Sequence, residues 1–234
     1  MTDEPGVAAA ERRGFLARFA LDLTPVRRYP AFRRLWFGQG VSFIGTEIAE
    51  VALAYQMYQL TGSTLAVGLL GIAALVPLLT VSFLGGAIAD AVDRRLLLII
   101  SDLGLAAVSA LLVFNAALAD PRVWALYLAE ALGTTLYAIQ RPAMDALVPR
   151  LVGDDQIAPA AAVQGIYSSF GHVGGPAVGG ILIASVGLSA TYAIDVVTFS
   201  AAYYALIRLP TMPPMDNSPR AGLKSVVDGL LPPK

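Results

Sequence analysis

Hydrogen-bonding and ionisable side chains recur at helical spacing inside stretches of this sequence that are otherwise apolar, and these are the places where it could do chemistry. Gln39, Ser42, Thr46 and Glu50 follow steps of three and four. At 100° per residue that confines them to an arc of about 80°, with Glu47 at its edge. Glu130, Thr134, Tyr137, Arg141 and Asp145 repeat the pattern in a second stretch. Two such stripes describe either a wet pathway between helices or a set of interhelical hydrogen bonds, with an Arg141–Asp145 pair, closing a static bundle. The pathway is the preferred reading, because Glu47 and Glu50 have no basic residue in their own stretch to pair with. Asp102 and Asp195 stand alone in two further apolar stretches and read as buried hydrogen-bond acceptors. His172, the one histidine, could titrate near neutral pH but reads first as a packed residue.

Other chemistries have no residues to carry them. The chain has no cysteine, which excludes disulfides and thiolate ligands, and one histidine cannot make a His-based zinc site. There is no Gly-x-Ser-x-Gly elbow and no phosphate-cradling glycine loop with lysine, so neither enzyme activity nor any metal or cofactor is expected. A formal net charge of -1 over 234 residues offers no basic excess for nucleic acid.

The elements that must hold these stripes follow from composition. The chain is 56% hydrophobic and only 14% charged, against about 45–50% and about 25% in a soluble domain. Its surface cannot face water throughout, and an integral membrane protein remains. Six apolar stretches, at 35–60, 65–89, 96–119, 123–147, 160–186 and 189–208, each approach the roughly 20 residues that cross a hydrocarbon core as a helix. None alternates as a barrel strand does. Leu60-Thr61-Gly62-Ser63-Thr64, Asp120-Pro121 and Gly153-Asp154-Asp155 punctuate them. Polar stripes on the first and fourth spans predict that these two line a cavity; the third and sixth are expected to face outward.

On this map 14 of the 16 lysines and arginines share one side, leaving Arg122 on the other and Arg141 inside a helix. The positive-inside rule then places both termini in the cytoplasm of a cell inner (plasma) membrane protein. The expected organisation is a cytoplasmic arm at 1–34, a six-helix transmembrane domain at 35–208, and a cytoplasmic linker at 209–234 whose 223–231 stretch could form a surface helix.

The fifth span carries Ser168, Gly171, Gly175 and Gly179 at steps of three and four, a smooth ridge for close helix approach. Pro176 removes an amide donor within it and predicts a kink.

Two motifs make the sequence recognisable. Gly86-Ala87-Ile88-Ala89-Asp90-Ala91-Val92-Asp93-Arg94-Arg95, between the second and third spans, resembles the G-x-x-x-D-x-x-G-R-[RK] loop of major facilitator transporters. Ala91 and Asp93 replace a basic residue and a glycine of that pattern. Gly171-His172-Val173-Gly174-Gly175-Pro176-Ala177-Val178-Gly179-Gly180 is similar to the G-x-x-x-G-P-x-x-G-G antiporter motif of the same superfamily at every specified position. Further likeness runs from residue 30 to 231 and points to the branch of efflux proteins, or transmembrane secretion effectors, that contains the enterobactin exporter and related drug and macrolide exporters.

The resemblance implies an all-α membrane protein, the amino-terminal six-helix half of a major facilitator fold, exporting a bulky organic solute such as a drug or siderophore by proton-coupled alternating access. It implies as partners the lipid bilayer, protons, the solute and a second six-helix half, whether covalent, a separate chain or a second copy. Within it Gln39, Glu47, Glu50, Glu130, Tyr137 and Arg141 are expected on the solute and proton pathway, since a carboxyl group held out of water can exchange its proton for a solute. Gly86, Asp90, Arg94, Arg95 and Asp145 are expected to form a cytoplasmic gate, with Arg94 reaching Asp145. Gly171, Gly175, Pro176, Gly179 and Gly180 form the hinge face. The alternative is a non-transporting membrane subunit or remnant with a structural or regulatory role.

Overall fold

The computed structural model describes residues 22–91 and 93–209, with the backbone alone for 82–91. After a helical turn at Thr24–Arg28, the chain forms α1 (Pro30–Thr61), α2 (Thr64–Ala91), α3 (Arg94–Ala117), α4 (Val123–Leu151) and α5 (Ile157–Ile207). α5 has one residue with non-helical dihedrals, Gly187, at φ 80° and ψ 172°, a region that essentially only glycine occupies. It divides α5 into a first arm, 157–186, and a second arm, 188–207, at the boundary the apolar stretches had indicated. The backbone dihedrals stay helical through Pro176, and the non-helical residue falls eleven positions later at Gly187, where the missing Cβ permits a reversal.

The short connections work as their residue types suggest. Gly62 takes the left-handed conformation at φ 62°, and its N–H donates to the Tyr58 carbonyl at 2.8 Å, closing the last turn of α1. Asn115 accepts the Arg122 N–H at 2.8 Å across the α3–α4 turn. Asp93, which stands where the loop motif has a glycine, is the N-cap of α3 and accepts the N–H groups of Arg95 and Leu96 at 2.8 and 3.2 Å.

Contacts between helices fix their directions. Along α1, Gly38, Gly45 and Gln56 meet Ala201, Thr198 and Tyr192 in turn, so the second arm runs antiparallel to it. Gly40, Glu47 and Ile48 meet Tyr167, Gly175 and Gly179, so the first arm runs parallel. Asp102 and Gly104 meet Gln140 and Leu136, which makes α3 and α4 antiparallel, and Tyr127 near the start of α4 donates to Ala66 near the start of α2 at 2.9 Å. The helices therefore alternate in direction, and Thr24 and Leu209 lie at the same end of the bundle.

At that end Phe32, Leu35, Leu98, Leu147, Val163 and Leu206 form one apolar cluster. Ala52, Met57, Leu70, Leu126 and Tyr192 form a second at the other end. Three of these helical segments, Thr64–Val81, Arg94–Ala117 and Asp154–Ile207, are long and apolar enough to cross a membrane by length and composition, and the last is the double-length stretch that reverses at Gly187. α1 and α4 are as long, but their polar stripes dilute their hydropathy. Thr64–Val81 is only 6% buried, against 39% for Arg94–Ala117. The expectation that the third span faces outward is thereby corrected: α3 packs against both α4 and α5, and α2 is the more exposed helix.

Glycines set the closest approach. A Cβ on Gly175 would lie 2.5 Å from the Glu47 Cβ, and one on Gly171 would strike the Phe43 ring at 2.6 Å, whereas one on Gly180 would meet nothing within 4 Å. The ridge of Gly171, Gly175 and Gly179 is thus the seat of α1. Gly175→Ala should lower stability by about 1–3 kcal/mol through overpacking, while Gly180→Ala should be neutral or slightly stabilising; thermal unfolding of the detergent-purified protein distinguishes the two.

Candidate functional site

Between the two apolar clusters lies a cavity of about 610 Å³, walled by α1, α3, α4 and both arms of α5. Both polar stripes open onto it. From α1 come Gln39, Ser42, Thr46, Glu47 and Glu50, and from α4 come Glu130, Thr134, Tyr137, Arg141 and Asp145. Every pathway residue expected from the sequence therefore sits at one site. The helical period brings this about, because each stripe covers one side of its helix while the other sides carry aliphatic contacts.

The carboxylates are held in different ways. Glu47 is buried, and its Oε1 lies 2.9 Å from His172 Nδ1 on the first arm of α5. The basic partner missing from its own helix is thus supplied by a neighbour, and His172, whose ring meets Phe43 edge-on at 5.2 Å, pairs rather than merely packs. Glu50 stays exposed to the cavity, within electrostatic reach of Glu47, Glu130 and His172. Arg141 donates from Nη1 to the Tyr137 hydroxyl at 2.8 Å, and its Nε lies 3.7 Å from Asp145 Oδ2. Both members of that ion pair are about two-thirds exposed (64% and 67%), so it orients Arg141 more than it stabilises the fold.

Asp102 and Asp195 form the floor. Asp102, 1% exposed, accepts from Gln39 Nε2 of α1 at 3.1 Å and from Gln140 Nε2 of α4, tying three helices together. Asp195, 2% exposed, accepts from Ser109 Oγ of α3 at 2.6 Å and lies beside Thr198 and Thr46. Both are the buried acceptors the sequence reading anticipated. They also correct the outward placement of the third and sixth spans, since Asp102, Ser109 and Asp195 all reach the cavity. Gln140, Tyr167 and Ser109 were not anticipated. Ser109 had a signal, lying seven residues after Asp102 on the same helical face.

The gate residues are placed differently from one another. Gly86 and Asp90 fall in 82–91, where the backbone is helical and the side chains lie outside the described residues. Arg94 is buried, at 6% exposure, near Arg150. Arg95 donates from Nε to the Leu206 carbonyl at 2.9 Å and from Nη2 to the Ile207 carbonyl at 2.7 Å. It thereby caps the C-terminal carbonyls of α5, where a cation also suits the helix dipole. On the hinge face Gly171, Gly175 and Gly179 pack on α1, while Gly180 and Pro176 point away from it.

Residues 20–231 match the model of one protein family, described as transmembrane secretion effector. The chain belongs to this family of major facilitator-type transporters. Among curated relatives it is similar to the enterobactin exporters of Shigella dysenteriae serotype 1 (strain Sd197) and Escherichia coli O1:K1 / APEC. Each is 28% identical over 215 residues, which cover 89% of this chain and 50% of the relative. The chain thus spans about half the length of the curated relatives it matches. The all-helical membrane architecture read from the sequence is the architecture of this family member.

Asp102→Ala would leave the buried Gln140 amide and the half-buried Gln39 amide without their acceptor. It should lower stability by about 1–3 kcal/mol, while Asp102→Asn, which keeps one carbonyl oxygen, should retain part of that loss; thermal unfolding in detergent reads the difference.

Proposed function

We propose that this chain is the cavity-bearing half of a secondary exporter that moves a bulky organic solute across the inner membrane by alternating access, coupled to proton entry. The observation that carries the reading is the 610 Å³ cavity in an apolar bundle, lined by Glu47, Glu50 and Glu130 and by Arg141, which is held by the Tyr137 phenol and the exposed Asp145 carboxylate. Ionisable groups at membrane depth are costly and mark solute or ion pathways. The volume lies in the range of organic-ligand sites, roughly 300–1,000 Å³.

The residues divide the work. Phe43, Tyr137 and Tyr167 offer aromatic surface to the apolar body of a solute, of the kind an exporter of siderophores or drugs handles. Glu50 and Glu130 face the cavity without a direct cationic partner among the described residues, and they serve as the exchangeable carboxyl groups. Glu47, already paired to His172, couples the state of α1 to that of α5 across the glycine ridge. Arg141 orients polar or anionic substituents. Arg94, with Asp90 and Asp145, latches the cytoplasmic end, and both termini face the cytoplasm. The second half of the pathway is supplied by a further six-helix unit related to this one as the two halves of such transporters are.

In vesicles containing the complete protein, a proton gradient should drive efflux of amphipathic organic solutes. Glu50→Gln and Glu130→Gln should each reduce that flux by tenfold or more, and Leu132→Ala on the same helix should leave it within twofold, an effect on the order of 1.4 kcal/mol per tenfold. Flux that is indifferent to all three, or absent with every solute, would instead favour a non-transporting membrane subunit.

A further inference from the structure

A second concavity lies on the outside of the bundle and shares no residue with the central cavity. It is a groove of about 300 Å³ between α1 and the second arm of α5. Its floor is made by small residues: Gly38 sits so close to the second arm that a Cβ there would lie 2.7 Å from the Ala201 carbonyl oxygen and 2.7 Å from the Ala205 Cβ. Its walls are Phe37, Val41 and Tyr204, which are 55%, 44% and 53% exposed. The Phe37 ring is held edge-on by Trp36 at 4.7 Å, and Trp36 is itself tied to the Val163 carbonyl at 2.9 Å, so the wall is stiff.

One end of this apolar groove is strongly basic. Arg33 and Arg34 line it there, and both are exposed. Because α1 and the second arm are antiparallel, the end of α5 arrives at the same place, and the Arg208 guanidinium stands 5.0 Å over the Tyr204 ring. Among the described residues no carboxylate pairs with any of these three arginines. A concentrated positive charge at the bundle end, with an apolar slot running from it along the membrane-embedded surface, complements a molecule with an anionic head and a hydrocarbon tail.

We propose that this groove binds one anionic phospholipid, with its phosphate on Arg33, Arg34 and Arg208 and one acyl chain lying over the Gly38–Ala201–Ala205 floor between Phe37, Val41 and Tyr204. Aromatic rings below a cationic cluster are suited to the boundary between headgroups and hydrocarbon. The bound lipid bridges the first and last membrane helices of this chain, and so holds together the two elements whose directions oppose.

Native mass spectrometry of the detergent-purified full chain, titrated with phosphatidylglycerol or with phosphatidylcholine of the same acyl chains, tests this. Phosphatidylglycerol should be retained on the order of tenfold more strongly. Combined Arg33→Gln, Arg34→Gln and Arg208→Gln should bring the two lipids to parity, and Arg122→Gln at the other end should not. Val41→Trp, which fills the groove and keeps every arginine, should also abolish selective retention, so the proposal stays testable if the triple variant fails to fold. Inorganic phosphate at the lipid's concentration should displace nothing. Equal retention of both lipids, a preference surviving either the triple variant or Val41→Trp, or displacement by phosphate, which would indicate a free-anion site, would each overturn the proposal.

Discussion

A polar side chain in hydrocarbon has no solvent to fall back on, and the arrangement of this protein follows from how each such group is satisfied. Asp102 and Asp195 are enclosed: Asp102 takes hydrogen bonds from α1 and α4, and Asp195 takes one from Ser109 of α3. Glu47 takes a histidine from α5. Glu50, Glu130 and Arg141 open onto a cavity instead. Because lipid is as apolar as leucine, apolar side chains alone give helices little reason to prefer one another in a bilayer. The buried acceptors and the close glycine contacts specify which faces meet, and they do so where van der Waals contact is tightest.

This division of labour links packing to function. The glycine ridge on the first arm of α5 brings its backbone against α1 at Glu47, and the contact of His172 with the Glu47 carboxylate lies one turn away on the same seam. A substitution at Glu47 or His172 therefore acts on the seam between two helices and not on an isolated side chain. Arg95 ties the start of α3 to the end of α5, so the second arm is anchored at one end by a cation on its carbonyls and at the other by the reversal at Gly187.

Much of this was legible in the sequence, for identifiable reasons. The positions of the helices followed from the apolar stretches, and the division of the last long helix at 186–189 agreed with Gly187. The two polar stripes predicted which sides of α1 and α4 face the cavity, since helical periodicity is a local property. What spacing could not supply was tertiary proximity. Nothing in the order of residues says that Gln39 and Gln140, a hundred positions apart, share Asp102, or that His172 meets Glu47. The outward placement of α3 failed for the same reason, because a single aspartate makes no stripe and yet one well-held aspartate suffices to turn a helix inward.

A polar cavity inside a lipid-facing bundle should admit water, and the absence of cysteine from this sequence makes that directly measurable. Single cysteines placed at Thr134 and Ser168, on the cavity wall, and at Leu103 and Leu128, exposed but outside the cavity, can be reacted in membranes with a water-soluble maleimide. Thiols react as thiolates and need water to ionise. The cavity pair should label and the leucine pair should not. Inert cysteines at Thr134 and Ser168, or equal labelling at all four positions, would mean that no water-filled cavity is enclosed by these helices.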